Sequence, residues 1–119
     1  MSDNFKIDYD EENDLLFLYD EKEKSGGSIE FGDLIIDLKR DGKIVGMEIF
    51  GASNYFSELT DRKISVQDLK KIEKVKFTVI ARKGTMMIKI ILPLEKENIQ
   101  ATIAIQDINY SSPAMAFAE

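Results

Sequence analysis

Asp33-Leu34-Ile35-Ile36-Asp37-Leu38-Lys39-Arg40-Asp41-Gly42-Lys43-Ile44-Val45-Gly46-Met47-Glu48-Ile49-Phe50-Gly51-Ala52-Ser53 is the stretch around which the chain is organised. Asp-Gly between two apolar runs is a strong hairpin signal, because glycine reaches positive φ without a Cβ clash. Strand side chains alternate between faces, so the register must keep the apolar set together. With Asp41-Gly42 as a two-residue loop, Leu38 faces Val45, Ile36 faces Met47 and Leu34 faces Ile49, all apolar. The opposite face is mixed: Lys39 with Ile44, Asp37 with Gly46, Ile35 with Glu48. A three-residue loop would set Leu38, Ile36 and Leu34 against Ile44, Gly46 and Glu48, so the even loop is expected. Ser53 then reads as the N-cap of a short helix running to Leu59.

Toward the N-terminus, Phe5, Ile7 and Tyr9 alternate with Lys6, Asp8 and Asp10, the pattern of a half-buried strand. An acidic turn follows, Asp10 to Asp14. Leu15-Leu16-Phe17-Leu18-Tyr19 is apolar on both faces and reads as a strand covered on two sides. Asp20 to Ser28 is charged and then glycine-rich, a mobile loop, and Ile29 to Gly32 is a short strand at most.

Toward the C-terminus, Asp61-Arg62-Lys63 interrupts the helix. Ser65 opens a second one, with Asp68 at the capping-box position and Val66, Leu69 and Ile72 as its apolar stripe. Val75 to Arg82 and Thr85 to Leu92 flank Lys83-Gly84. A two-residue loop there pairs Ala81 with Met86, Val79 with Ile88, Phe77 with Ile90 and Val75 with Leu92. Pro93 ends the strand because it cannot donate to a ladder. Ile99, Ala101, Ile103 and Ile105 alternate with polar or small residues as a last strand.

The class this predicts is α+β: antiparallel β-hairpins in a sandwich-like or partly closed sheet, with one or two short helices between residues 53 and 73. One domain is expected over 1–119. It divides into a four-stranded half with a short helix (1–59), a helix plus three antiparallel strands (60–109) and a loosely ordered tail (110–119).

The first half resembles a known family. Tyr9-Asp10-Glu11-Glu12-Asn13-Asp14-Leu15-Leu16, the Ile35 to Ile49 hairpin, and Ala52-Ser53 opening a helix stand in the order found in the uncharacterised family DUF2283. Phe50-Gly51 departs from that pattern, and the chain beyond about Thr60 lies outside it. The resemblance implies no activity. Because some members are encoded beside small toxin-like proteins, it implies an antitoxin-like role.

Composition narrows the function classes. The chain has 119 residues, 44% hydrophobic and 32% charged, with no Cys and no His. Thiolate metal sites, disulfides and Ser-His or Cys-His nucleophiles are excluded. No apolar run approaches the roughly 20 residues that cross a bilayer as a helix. Met1-Ser2-Asp3-Asn4 does not read as a secretory signal, so a cytoplasmic protein is expected. The formal net charge of −6 argues against nucleic acid as the main partner.

Four candidate sites follow. Asp8, Asp10, Glu12 and Asp14 place hard oxygen ligands at spacings of two, with Asp10, Glu12 and Asp14 as the candidate calcium or magnesium ligands. The sixth and twelfth positions counted from Asp10 hold Leu15 and Glu21, where an EF-hand-type loop needs Gly in the sixth, so a solvated turn is the simpler reading. Asp37 and Glu48, flanking Gly46, are a carboxylate pair that either does acid–base work or keeps a sheet face wet. Ser25-Gly26-Gly27-Ser28 offers backbone amides to a phosphate, but lacks the Gly-Lys-Ser/Thr of a P-loop and reads as a linker. Ile35, Ile44, Phe50, Ile80, Met87 and Ile91 are apolar on faces that would meet water. They call either for a covering layer or for a partner. No catalytic constellation and no cofactor is expected. The function expected is a non-enzymatic protein-interaction module whose partner is another protein or itself, a homodimer being favoured because the apolar set invites a second copy; the alternative is a small-ligand or divalent-cation-binding domain.

Overall fold

The computed structural model describes residues 2–82 and 84–106. The tail expected over 110–119 lies outside the described residues. Eight strands are present: β1 (Ser2–Asp10), β2 (Leu15–Tyr19), β3 (Gly27–Phe31), β4 (Leu34–Leu38), β5 (Ile44–Phe50), β6 (Lys74–Arg82), β7 (Thr85–Pro93) and β8 (Asn98–Gln106). Two helices, α1 (Ala52–Thr60) and α2 (Val66–Lys70), lie between β5 and β6.

All eight strands form one antiparallel sheet in the order β3-β4-β5-β2-β1-β6-β7-β8, curled into a half-barrel. The partly closed sheet is found and the sandwich is not; the molecule is richer in strand than an even α+β mixture. The reason lies in β1. Its first half, Ser2 to Lys6, pairs with Thr78 to Lys74 of β6, while its second half, Lys6 to Asp10, pairs with Tyr19 to Leu15 of β2. One strand therefore joins both hairpin systems at staggered heights, and stagger of this kind closes a sheet on itself.

The concave side holds the core. Phe5 stacks on Phe77 across the β1–β6 seam with ring centroids 4.4 Å apart. Leu16, Ile36, Ile49, Ile88 and Ile90 are fully buried beside them. Each such side chain contributes about 1.5–3 kcal/mol on leaving water. Helix α1 lies across this side against β5 and β8, with Ala52 and Phe56 turned inward. Helix α2 has the expected capping box: the Asp68 amide donates to the Ser65 hydroxyl at 3.1 Å, and the Ser65 amide donates to Asp68 at 2.9 Å.

The two hairpins differ. In β6–β7, Ala81–Met86, Val79–Ile88 and Phe77–Ile90 pair as expected. In β4–β5 the outer pairs Leu34–Ile49 and Ile36–Met47 are as expected, but Leu38 pairs with Ile44. The Lys39 amide donates to the Lys43 carbonyl and the Gly42 amide to the Lys39 carbonyl, so the loop has three residues, with Gly42 at φ 90°. A bulge between Leu38 and Asp37 leaves Val45 unpaired on this side and restores the parity that the odd loop disturbs. The Val45 carbonyl accepts from the Asp20 amide instead, at 3.0 Å.

Candidate functional site

Residues from three separated stretches meet at the end of β1. Asp14 closes the β1–β2 turn in the left-handed region, φ 51°, which Asp tolerates better than most side chains. Its carbonyl accepts from the Ala52 amide at 2.9 Å. Its carboxylate accepts from the Tyr9 hydroxyl at 2.5 Å, the Ser53 amide at 3.0 Å and the Ser53 hydroxyl at 2.7 Å. Helix α1 begins one residue before Ser53, and its own N-cap, Gly51, is left-handed with no side-chain hydrogen bond. Asp14 is therefore the cap of α1, supplied from the opposite end of the hairpin system, and its charge suits the positive end of the helix. Ser53 is a donor inside the first turn, not the N-cap. Partial burial works against the charge on Asp14, but the hydrogen bonds from Tyr9 and Ser53 outweigh it and hold the carboxyl below its usual range. Burial, then the Asp14 contact, pushes the Tyr9 hydroxyl well above its ordinary value.

This placement separates the candidate metal ligands. Asp10 accepts from the Asn13 amide and side chain at 3.2 and 2.8 Å. Glu12 is exposed at the tip of the turn. Among the described residues, no group of three or more Asp, Glu, His or Cys side chains is disposed to hold a metal ion.

The glycine-rich stretch is structured. The Gly26 amide donates to the Leu38 carbonyl at 2.7 Å, and Gly27 and Ser28 open β3. Half of the expected linker, Gly27 and Ser28, is therefore the start of an edge strand, and Ser25 and Gly26 lead into it. The Ser28 hydroxyl donates to Asp37 at 2.6 Å.

The outer, convex face of the sheet carries the other carboxylates. Register places Ile35 beside Glu48 and Glu48 beside Phe17, with Asp8 next along the same row. The neighbouring row runs Ser28, Asp37, Gly46, Tyr19, Lys6. Gly46 fits closely here: a Cβ would stand 3.1 Å from an Asp37 carboxylate oxygen and 3.2 Å from the Leu18 carbonyl, so either neighbour would have to give way by a few tenths of an ångström. Burial between its neighbours, and the like charge of Asp37 on the diagonal, raise the Glu48 carboxyl above its ordinary value. Around these acids Tyr19 is 38% exposed and Phe50 42%. Among the described residues, the expected second cover over Leu15, Phe17 and Tyr19 is not formed, and the elements pack on the concave face. Of the six residues that called for cover or a partner, Ile44 is buried at the bulge. Ile35, Met87 and Ile91 are partly exposed, and Phe50 and Ile80 are exposed.

Alternation in Leu15 to Tyr19 carried the signal for this face, but continuous hydrophobicity masked it. The Asp14–Ser53 contact spans 39 residues and has no local signal at all.

A small antiparallel half-barrel with a solvent-facing acidic and aromatic sheet surface is thus the class the fold and site define. The chain belongs to the family described as protein of unknown function DUF2283, whose model matches residues 6–53. The match ends on Ser53, so it encloses Tyr9, Asp14 and both Asp37 and Glu48. An uncharacterized protein of Methanocaldococcus jannaschii is 35% identical over 104 residues, 87% of each chain. A Methanosarcina mazei protein named "Putative hypoxanthine phosphoribosyltransferase" is 29% identical over 93 residues, 78% of this chain and 71% of that one. No solved structure matches. Among the described residues, no helix is long and apolar enough to cross a membrane.

Proposed function

We propose that this chain is a non-enzymatic protein-interaction module whose outer sheet face receives a partner presenting lysine and arginine side chains. The observation that carries this reading is the grouping of Glu48 and Asp37 with exposed Tyr19 and Phe50 and partly buried Phe17 on one side of one sheet. Like carboxylates on neighbouring strands repel, and exposed aromatic rings leave apolar area in water. A cation-bearing apolar surface relieves both, through ion pairs and through cation–π contact with the rings. A small basic protein of the kind the family resemblance implies has this chemistry.

Capture from the native cell tests the reading when the wild-type chain is compared with a Phe17→Ser/Glu48→Lys variant of unchanged circular dichroism. A stoichiometric partner is retained by the first and lost by the second. Equal recovery on both sinks it.

The cation-binding alternative asks Asp14 to surrender its contacts to Tyr9 and Ser53, which hold α1 in place. Transfer chemistry of the kind named for the Methanosarcina mazei relative needs a phosphate cradle, and the Gly26 amide at the centre of the glycine-rich stretch already donates to the Leu38 carbonyl.

A further inference from the structure

The net charge of −6 conceals a segregation. On β1 to β5, the outward positions hold Asp8, Asp10, Glu30, Asp37 and Glu48 against a single cation, Lys6, which is already paired with Glu21 at 2.8 Å. On β6 and β7 they hold Lys74, Lys76, Arg82 and Lys89 and no carboxylate. The charged loops and helices do neutralise one another: Lys39 meets Glu23, Lys70 meets Glu11, Lys71 meets Glu95 and Arg62 meets Glu97. Lys74, Lys76, Lys89, Asp8 and Glu48 make no ion pair among the described residues, although all lie on the same sheet face. The two fields occupy different strands and adjoin only at the β1–β6 seam, where Lys6 stands beside Lys74.

Resting on the reading above, we infer that the partner of this face is a second copy of this chain. Related by a two-fold axis lying in the interface between the two fields, the acidic region of each copy meets the basic region of the other. A two-fold contact must be self-complementary, and a surface divided into one acidic and one basic half meets that requirement. The apolar groups divide in the same way. Phe17 and Tyr19 accompany the acids, while on the basic side Ile91 pairs with Lys76 and Met87 with the exposed Ile80, so cations of one copy arrive over aromatic rings of the other. Curvature agrees. Two convex faces touch along their middle strands, here β5, β2, β1, β6 and β7, which carry Glu48, Phe17, Tyr19, Lys74, Lys76 and Lys89.

Charge reversal in two complementary variants tests this. Asp37→Lys/Glu48→Lys turns the acidic field basic, and Lys76→Glu/Lys89→Glu turns the basic field acidic. Light scattering at low salt is expected to give a two-chain mass for the wild type. That mass falls toward one chain at roughly 1 M salt, where charges are screened beyond ~3 Å. Each variant alone is expected to be monomeric, since both of its contacts become repulsive. An equimolar mixture restores a two-chain mass, because both contacts are again between opposite charges. The lysine variant alters exposed Lys76 and partly exposed Lys89, neither of which makes an ion pair among the described residues, so it serves if the Asp37 variant fails to fold. A wild type monomeric at low salt, or variants as dimeric as the wild type, overturns the inference. If the wild type is monomeric yet captures a foreign partner that needs Phe17 and Glu48, the module stands and the self-pairing falls.

Discussion

Two carboxylate sites in the first half of the chain have opposite fates. At Asp14, both oxygens are filled by donors from β1 and α1, and the carboxyl is held below its usual range. At Glu48, the neighbours are Phe17, Ile35 and another acid, and the carboxyl is pushed upward. A satisfied carboxylate is architecture; one left partly buried beside its own kind is the group we propose meets a partner's cation. The same distinction moves attention away from the acidic turn, where Asp10, Glu12 and Asp14 look most like ligands in sequence, to the convex face of the neighbouring strand β5.

The comparison is broken most forcefully at Asp14. Asp14→Ala removes a helix cap, two side-chain donors' acceptor and a residue suited to positive φ, so a loss of about 2–4 kcal/mol is expected in urea unfolding. A loss under ~0.5 kcal/mol would mean that α1 needs no cap from β1. Asp14→Asn keeps the backbone preference but loses the charge and turns one acceptor oxygen into a donor, and is expected to cost less than Asp14→Ala.

Acid sharpens it. A carboxyl whose folded pKa is depressed contributes stability above its unfolded pKa, near 4, and loses it as pH falls through the folded value. Glu48 has the opposite sign: its raised folded pKa costs stability once pH rises above about 4. Wild-type stability should therefore drop below about pH 4 by a component that Asp14→Asn abolishes and Glu48→Gln leaves intact. Tyr9→Phe deletes one donor to a charged acceptor and is expected to cost about 1.5–3 kcal/mol. The smallest effect is Glu48→Gln, which relieves the repulsion with Asp37 and should change stability by no more than about 0.5 kcal/mol, in the stabilising direction. A destabilisation above ~1 kcal/mol would show that Glu48 is itself a structural group.

Much of the local architecture was legible in the residues. Alternation marked β6, β7 and β8, and Lys83-Gly84 set a register that holds pair for pair. Ser65 and Asp68 announced the capping box of α2. The β4–β5 hairpin was legible except at its tip. Parity argued for an even loop there, and a bulge at Val45 let an odd loop and the apolar match coexist. Ser25 to Ser28 looked like a linker because glycine and serine carry no strand signal. Its order comes from the β4 edge it pairs with.

What the chain determined by itself was every contact that period, turn chemistry or capping encodes within a few residues: the hairpins, the two helices and the choice of inward side chains. Tertiary structure alone decided the rest. Pairing of Ser2 to Lys6 with Lys74 to Thr78 made one curled sheet in place of two packed ones. The meeting of Asp14 with Ser53 turned a supposed ligand into a cap. The joining of an acidic to a basic half gave the outer face its polarity. Each is a contact between segments far apart in sequence, chosen by the burial of Phe5 against Phe77 and by the demand that every buried amide find an acceptor, and no local pattern records either.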